Sequence, residues 1–169
     1  GVVVSQSSRV GGDELDEAVV QFMKKEHGMT IGSRSAEEIK MALGSAVPLV
    51  DEVRAEVRGR DLVSGLPRRL VISSSEVREA IVEPVASIVD TVKSTLDRTP
   101  PELAADIMEN GIVLAGGGAL LVGLRELVEA ETGMPVRLVP DPHLAVVLGA
   151  GRALEEFDLY GELILSDGF

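Results

Sequence analysis

The feature that most constrains this chain is the run Asn110-Gly111-Ile112-Val113-Leu114-Ala115-Gly116-Gly117-Gly118-Ala119-Leu120-Leu121. Asn110-Gly111 is a turn pair, and residues 112–115 form an apolar run of strand length. After the glycines, Leu120, Leu121, Leu124, Leu127 and Val128 recur at helical spacing. The expected local structure is a buried strand, a glycine turn and a helix starting near Leu120. A backbone without Cβ atoms lets a flat or anionic ligand approach closely, and a helix N-terminus behind it offers free N–H groups.

Two phosphate-binding patterns do not fit. A P-loop requires a Lys after its last glycine, and none follows Gly118. A dinucleotide G-x-G-x-x-G starting at Gly116 and Gly118 would need glycine where Leu121 stands. From the residues alone, the glycines are either a tight strand-to-helix connection or a ligand loop of another kind.

Composition narrows the choice. The 169 residues suit one domain or two small lobes, with 45% apolar residues to fill a core. Sixteen basic against 28 acidic residues give a net charge of −12, which argues against a nucleic-acid surface or a polybasic lipid anchor. There is no cysteine, so disulfide and thiol chemistry are excluded. Three Phe and one Tyr are too few for stacking along single-stranded nucleic acid. The longest run without charge, 110–124, spans 15 residues, below the roughly 20 that cross a bilayer. The chain opens on Gly1-Val2-Val3-Val4 without Met, which is expected to be mid-strand and makes the chain a fragment; no signal peptide is expected.

Along the chain, Asp13 is expected to cap a helix whose apolar stripe is Leu15, Ala18, Val19, Phe22 and Met23, ending at Gly28. His27 lies at that helix end beside lysines and reads as a surface cap. Ser35-Ala36-Glu37-Glu38 has the form of a capping box opening a short helix. Glu37 and Lys40, three apart, share a helical face; their spacing alone suggests a surface ion pair.

Val53, Ala55 and Val57 alternate with Arg54, Glu56 and Arg58, a half-buried strand, and Leu70-Val71-Ile72 is its return. Arg58, Arg60, Arg68 and Arg69 are either a subunit contact or a solvated loop. Ser73 to Glu76 is a second capping box. The stripe Val77, Ile81, Val85, Ile88, Val92, Leu96 follows and is interrupted by Pro84, where a kink or a new helix is expected.

Pro101 sits at a helix start, with Leu103 and Ile107 on the buried side. Val136-Arg137-Leu138-Val139 is another buried strand. The last helix carries Leu144, Val147, Leu148 and Leu154, and His143 in its first turn is a solvated surface residue.

These runs together resemble the MreB-like bacterial actin homologues of the actin and heat-shock-chaperone ATPase superfamily. The resemblance is carried by Gly111-Ile-Val-Leu-Ala-Gly-Gly-Gly-Ala-Leu-Leu and by Ser8-Arg-Val-Gly-Gly-Asp-Glu-Leu-Asp-Glu-Ala. It continues in Ala36-Glu-Glu-Ile-Lys40, in Gly59-Arg-Asp-Leu-Val-Ser-Gly-Leu-Pro67, in Arg98-Thr-Pro-Pro-Glu-Leu-Ala-Ala-Asp106 and in Leu148-Gly-Ala-Gly-Arg-Ala-Leu154.

The resemblance implies an α/β, actin-like (RNase H-like) ATPase lobe, truncated at its N-terminus. Residues 1–12 and 84–169 would form the core lobe, with 13–83 inserted as a smaller α+β lobe. It implies ATP as ligand, with Glu37 and Lys40 clamping adenosine and Gly116, Gly117, Gly118 and Ala119 forming its loop. A carboxylate can accept from ribose hydroxyls while a Lys stem covers the base.

Phosphoryl transfer depends on a metal and on positioned groups. In the family these lie on hairpins not found here, so magnesium would be bound by the other half and this piece would not be an enzyme by itself. The parent is expected to be a cytoplasmic filament protein that determines cell shape. Its partners would be its own subunits and cell-wall synthesis proteins, with membrane contact through the other half and none with nucleic acid. A chaperone-type ATPase of the same superfamily, or a stand-alone binding module, are the alternatives. In such a fold, residues 2–4 would lack ladder partners, and weak independent stability is expected.

Overall fold

The computed structural model describes residues 2–158, 160 and 161, so part of the expected core lobe, at 159 and 162–169, lies outside the described residues. Helix α1 (Gly12–His27) buries Leu15, Val19, Val20 and Met23, an i, i+4, i+8 stripe. Gly11, in extended conformation, is its N-cap rather than Asp13. The reason is local: the Glu14 carboxylate accepts the Gly11 amide at 2.8 Å, which a helix starting after Asp13 would forgo. Gly28, at φ 59°, closes the helix in the left-handed region.

The chain then makes strand β1 (Met29–Thr30) and helix α2 (Ser33–Leu43). The expected capping box at Ser35 does not form. Gly32 is the N-cap, so the helix starts earlier and Ser35 lies within it; this register puts Ala36, Ile39 and Leu43 in the core.

Strands β2 (Arg54–Asp61) and β3 (Pro67–Ser73) form the expected hairpin, antiparallel with Val57 opposite Leu70 and Ala55 opposite Ile72. β1, too short to show a period, adds to the free edge of β2, pairing Met29 with Asp61 and Thr30 with Arg60. Gly59 permits this. A Cβ there would stand 2.5 Å from the Thr30 carbonyl oxygen and 2.9 Å from Met29 Cγ.

Ser73 caps the long helix α3 (Ser74–Asp97), accepting the Glu76 amide at 3.3 Å while the Glu76 carboxylate accepts the Ser73 amide at 2.9 Å. The helix runs through Pro84 as one element, although proline deprives the Ala80 carbonyl of its usual donor. Val77, Ile81, Val85 and Val89 carry the buried stripe in steps of four. Ile88, expected in that stripe, is only half-buried, as are Val92 and Leu96. One core joins α1, α2, the β2–β3 hairpin and the first part of α3, and it extends to Leu124, Val128 and Val136 further along the chain.

Helix α4 (Pro101–Asn110) starts on Pro101 as expected but buries no residue; Leu103 and Ile107 are half-exposed. Strand β4 (Ile112–Leu114) pairs in parallel with β5 (Val136–Leu138), Ile112 opposite Val136 and Leu114 opposite Leu138. β4 is half-buried, not buried: among the described residues its only ladder neighbour is β5, and Val113 is exposed. Residues 2–4 form no strand, and Val2 and Val3 are exposed, as a segment without ladder partners must be. The N-terminal segment is tied down further along, where the Gln6 side-chain oxygen accepts from the Arg98 guanidinium at 3.0 Å and from the Ser94 hydroxyl at 3.1 Å.

Helix α5 (Leu124–Thr132) buries Leu124 and Val128 against this sheet. Helix α6 (Pro142–Glu155) differs most from expectation: Leu144, Val147, Leu148 and Leu154 are all exposed. Its apolar stripe exists, but no described element covers it.

Candidate functional site

The glycine run does not pass directly into a helix. Gly116 sits at φ 87°, and its amide donates to the Pro142 carbonyl at 2.8 Å, anchoring the loop to the start of α6. A short 3-10 helix (Gly117–Leu120) follows, and α5 begins only at Leu124, after Gly123 at φ 79°. Leu120, expected as the first helical core residue, is exposed, whereas Ala119 is buried and donates its amide to Gly116 O at 3.2 Å. The early helix fails because the glycines turn the chain with three-residue hydrogen bonds.

The three glycines differ in what they are for. Gly116 needs its left-handed backbone. Gly117 and Gly118 do not, for neither has positive φ, and a Cβ built on either meets nothing within 4 Å. Nothing in the backbone or the packing of the described residues calls for glycine at these positions. Their amides, in the first turn of the 3-10 helix, also donate to no group among the described residues. The loop therefore presents two free N–H donors on a surface clear of side chains.

Glu37 and Lys40 both lie on α2, but they do not form the ion pair that their spacing suggests. Lys40 Nζ lies 2.8 Å from Asp16 Oδ1 and donates to the Gly12 carbonyl at 3.1 Å. Its side chain is 15% exposed and that of Asp16 14%, so the charge pair sits in the seam between α1 and α2. Glu37 is exposed and in no ion pair among the described residues. Asp16 is thus a member of this region that sequence reasoning missed. Its only signal was its place beside Leu15 on a helix whose partner was unknown.

The elements holding Glu37, Lys40 and the glycine loop meet behind the loop. The chain leaves α2 through Gly44 to Ser45, and leaves the 3-10 helix through Leu121 to Val122. Ser45 and Val122 form a parallel bridge, and the Ala46 amide donates to Val122 O at 2.7 Å. Two glycines allow the contact. A Cβ on Gly44 would lie 3.2 Å from Leu121 Cδ1, and one on Gly123 2.4 Å from Val47 Cγ2. The junction fixes α2 relative to the glycine loop by backbone rather than by flexible side chains.

Other candidates resolve as structure. His27 is no surface cap: its Nε2 is 3.0 Å from Glu76 Oε1, without hydrogen-bond alignment, and its ring meets Phe22 edge-on at 5.7 Å. It ties the end of α1 to the start of α3. Partial burial pushes the Glu76 carboxyl up, but hydrogen bonds from Ser73 and the charge of His27 outweigh it and hold the carboxyl below the usual range.

Most of the arginine cluster is neutralised. Arg58 and Arg69 both reach Glu56 at 3.3 Å, and Arg68 reaches Asp61 at 3.1 Å and the His27 carbonyl at 2.9 Å. His143 is exposed. Among the described residues no three His, Asp or Glu side chains gather in a cluster that could hold a metal ion by themselves. No described helix is long and apolar enough to cross a membrane. The free donors and open glycines do fit a planar or anionic ligand such as a nucleotide.

Comparison with known proteins agrees with this picture. The profile of the MreB/Mbl protein family matches residues 1–162. The cell shape-determining protein MreB of Escherichia coli K12 is 48% identical over 168 residues, covering 99% of this chain and 48% of that protein. The cell shape-determining protein Mbl of Bacillus subtilis 168 is 42% identical over 157 residues, covering 93% of this chain and 47% of that protein. The chain thus spans about half the length of these relatives. Among solved structures, MreB5 of Spiroplasma citri bound to ADP superposes with a TM-score of 0.88 at 34% identity, covering 98% of this chain and 50% of that one. A MamK double helical filament, at 23% identity and a TM-score of 0.71, shares the fold. The α/β architecture is that of an actin-like lobe, and the chain belongs to the MreB/Mbl family.

Proposed function

We propose that this chain supplies the adenosine-holding part of the nucleotide cleft in an actin-like, cell shape-determining filament protein. The observation that carries the reading is the pair Gly117 and Gly118, which no backbone or packing requirement of the described residues explains and whose amides are free. A base or ribose lying against that surface would explain the missing Cβ atoms. Related MreB5 is known in complexes with ADP and with AMPPNP, at 34% identity to this chain.

Each residue has a distinct part. Gly116 turns the loop, Gly117 and Gly118 keep its surface open and offer their N–H groups, and buried Ala119 anchors it. Glu37, exposed and unpaired, is free to accept from ribose hydroxyls. Lys40 keeps its ammonium on Asp16 and the Gly12 carbonyl, so its contribution is the aliphatic stem and the placement of α2. The Ser45–Val122 bridge holds the two elements in register.

ATP is the nucleotide of this reading, and residues 1–169 alone are expected not to hydrolyse it, the metal and the phosphate-positioning groups being supplied by the other half of the parent. The core lobe of 1–12 and 84–169 bears the loop, and the inserted 13–83 bears Glu37 and Lys40. The full-length protein acts in the cytoplasm at the membrane, assembling with its own copies and with cell-wall synthesis proteins. The test is nucleotide titration of the full-length protein. Glu37→Ala is expected to weaken ATP binding by about 1–3 kcal/mol, the range for losing a polar partner, whereas unchanged affinity would contradict the assigned role.

A further inference from the structure

Behind the junction, α3, α5 and residues 45–46 enclose a half-open cavity of about 260 Å³. Its walls are apolar, formed by Ile81, Val82, Val85, Val89 and Leu127. Four polar residues, Ser45, Arg78, Asp90 and Glu131, break this pattern. Ser45, a residue with no exposed surface, borders the cavity, and its hydroxyl has no hydrogen-bond partner among the described residues. A buried, unpartnered hydroxyl carries a real cost unless something satisfies it.

Arg78, also lining the cavity and half-buried, forms no ion pair among the described residues; its guanidinium donates to the Ser75 hydroxyl at 3.3 Å. At the other end, Glu131 is already taken by Lys93 at 2.6 Å, while Asp90 presents a free carboxylate.

Along α3 the trough runs from Arg78 to Val89, about 16 Å at roughly 1.5 Å per residue. The charges give it a direction. A single anionic head is attracted to Arg78 and repelled from Asp90, and an apolar tail lies over Val82, Val85 and Val89. A guanidinium binds a carboxylate in a planar fork. We propose that this cavity is a binding site for a small apolar carboxylate, its head on Arg78 and its tail along α3, separate from the glycine loop.

The test is calorimetric titration of the full-length protein, without nucleotide, with octanoate and, as controls, octanol and octylamine. Octanoate is expected to bind saturably at one site, with the controls at least tenfold weaker. Arg78→Gln, which keeps a hydrogen-bonding side chain near Ser75 but removes the charge, should weaken octanoate at least tenfold. Val85→Trp, which fills the trough, should abolish binding, and melting curves of both variants verify folding. Octanol binding as tightly as octanoate, an Arg78→Gln variant with unchanged octanoate affinity, or no saturable binding would each overturn the proposal. Because nucleotide is absent, the result is independent of the role assigned to the glycine loop.

Discussion

The region from residue 101 onwards is built from a sequence at least as apolar as that of the region from residue 15 to residue 89, but the two close very differently. Fifteen of the nineteen buried apolar residues among the described ones lie in the first region. There α1, α2, the three-stranded sheet and α3 cover one another. In the second, β4 and β5 are a two-stranded parallel pair with α5 on one side, and α6 leaves Val146, Val147, Leu148 and Leu154 each more than half exposed. Contiguous apolar surface of this kind marks an interaction face. Periodicity tells which residues share a face; whether the face is covered depends on what stands opposite it.

The largest expected effect sharpens this contrast. Ile81→Ala, at a fully buried position, should cost about 2–5 kcal/mol in denaturant unfolding of the 169-residue chain. Val147→Ala on α6 should stay within about 0.5 kcal/mol in the same assay. Equal losses at the two positions would mean that α6 is packed as well as α3.

A smaller effect is expected at the start of α3. Ser73→Ala removes the hydroxyl that caps the helix and should cost about 1 kcal/mol. An unchanged melting temperature would show that the reciprocal Glu76 contact to the Ser73 amide suffices.

The smallest effect concerns pH. Because the folded-state carboxyl of Glu76 titrates below its ordinary value of 4.5, its contribution is present above that value and is lost as pH falls through the lower, folded one. Glu76→Gln should therefore lower the neutral plateau of the stability profile and flatten its acid limb, the two proteins converging at low pH. An acid limb of unchanged slope would remove Glu76 as its source.

What the sequence made legible follows the same division. The α1 stripe, the β2–β3 hairpin, the Ser73–Glu76 box and the proline start of α4 were readable because each is set by neighbouring residues. β1 was not, since two residues have no period and the strand exists only because Gly59 lets it approach β2. The helix starts at Gly11 and Gly32 departed from side-chain capping propensity, the first through the local contact of Glu14 with the Gly11 amide and the second through the register that buries Ala36, Ile39 and Leu43. The ion pair predicted for Glu37 and Lys40 lost to Asp16, a residue on another helix that spacing along one helix cannot reveal.

At the candidate site, the glycine run was conspicuous in sequence, but the separate functions of its members were not. Gly116 and Gly123 are demanded by positive φ, and Gly123 also by the approach of Val47. Gly117 and Gly118 are demanded by nothing in the described chain, a distinction only the backbone geometry makes.

The most direct measurement is therefore a paired one on the full-length protein: ATP affinity and melting temperature of Gly118→Val beside those of Gly123→Val. Gly118→Val is predicted to lose at least tenfold in ATP affinity, about 1.4 kcal/mol, with its melting temperature unchanged. Gly123→Val, forced against Val47 at φ 79°, is predicted to lose stability itself. A Gly118→Val protein that binds ATP as tightly as the parent would contradict the nucleotide role of the loop.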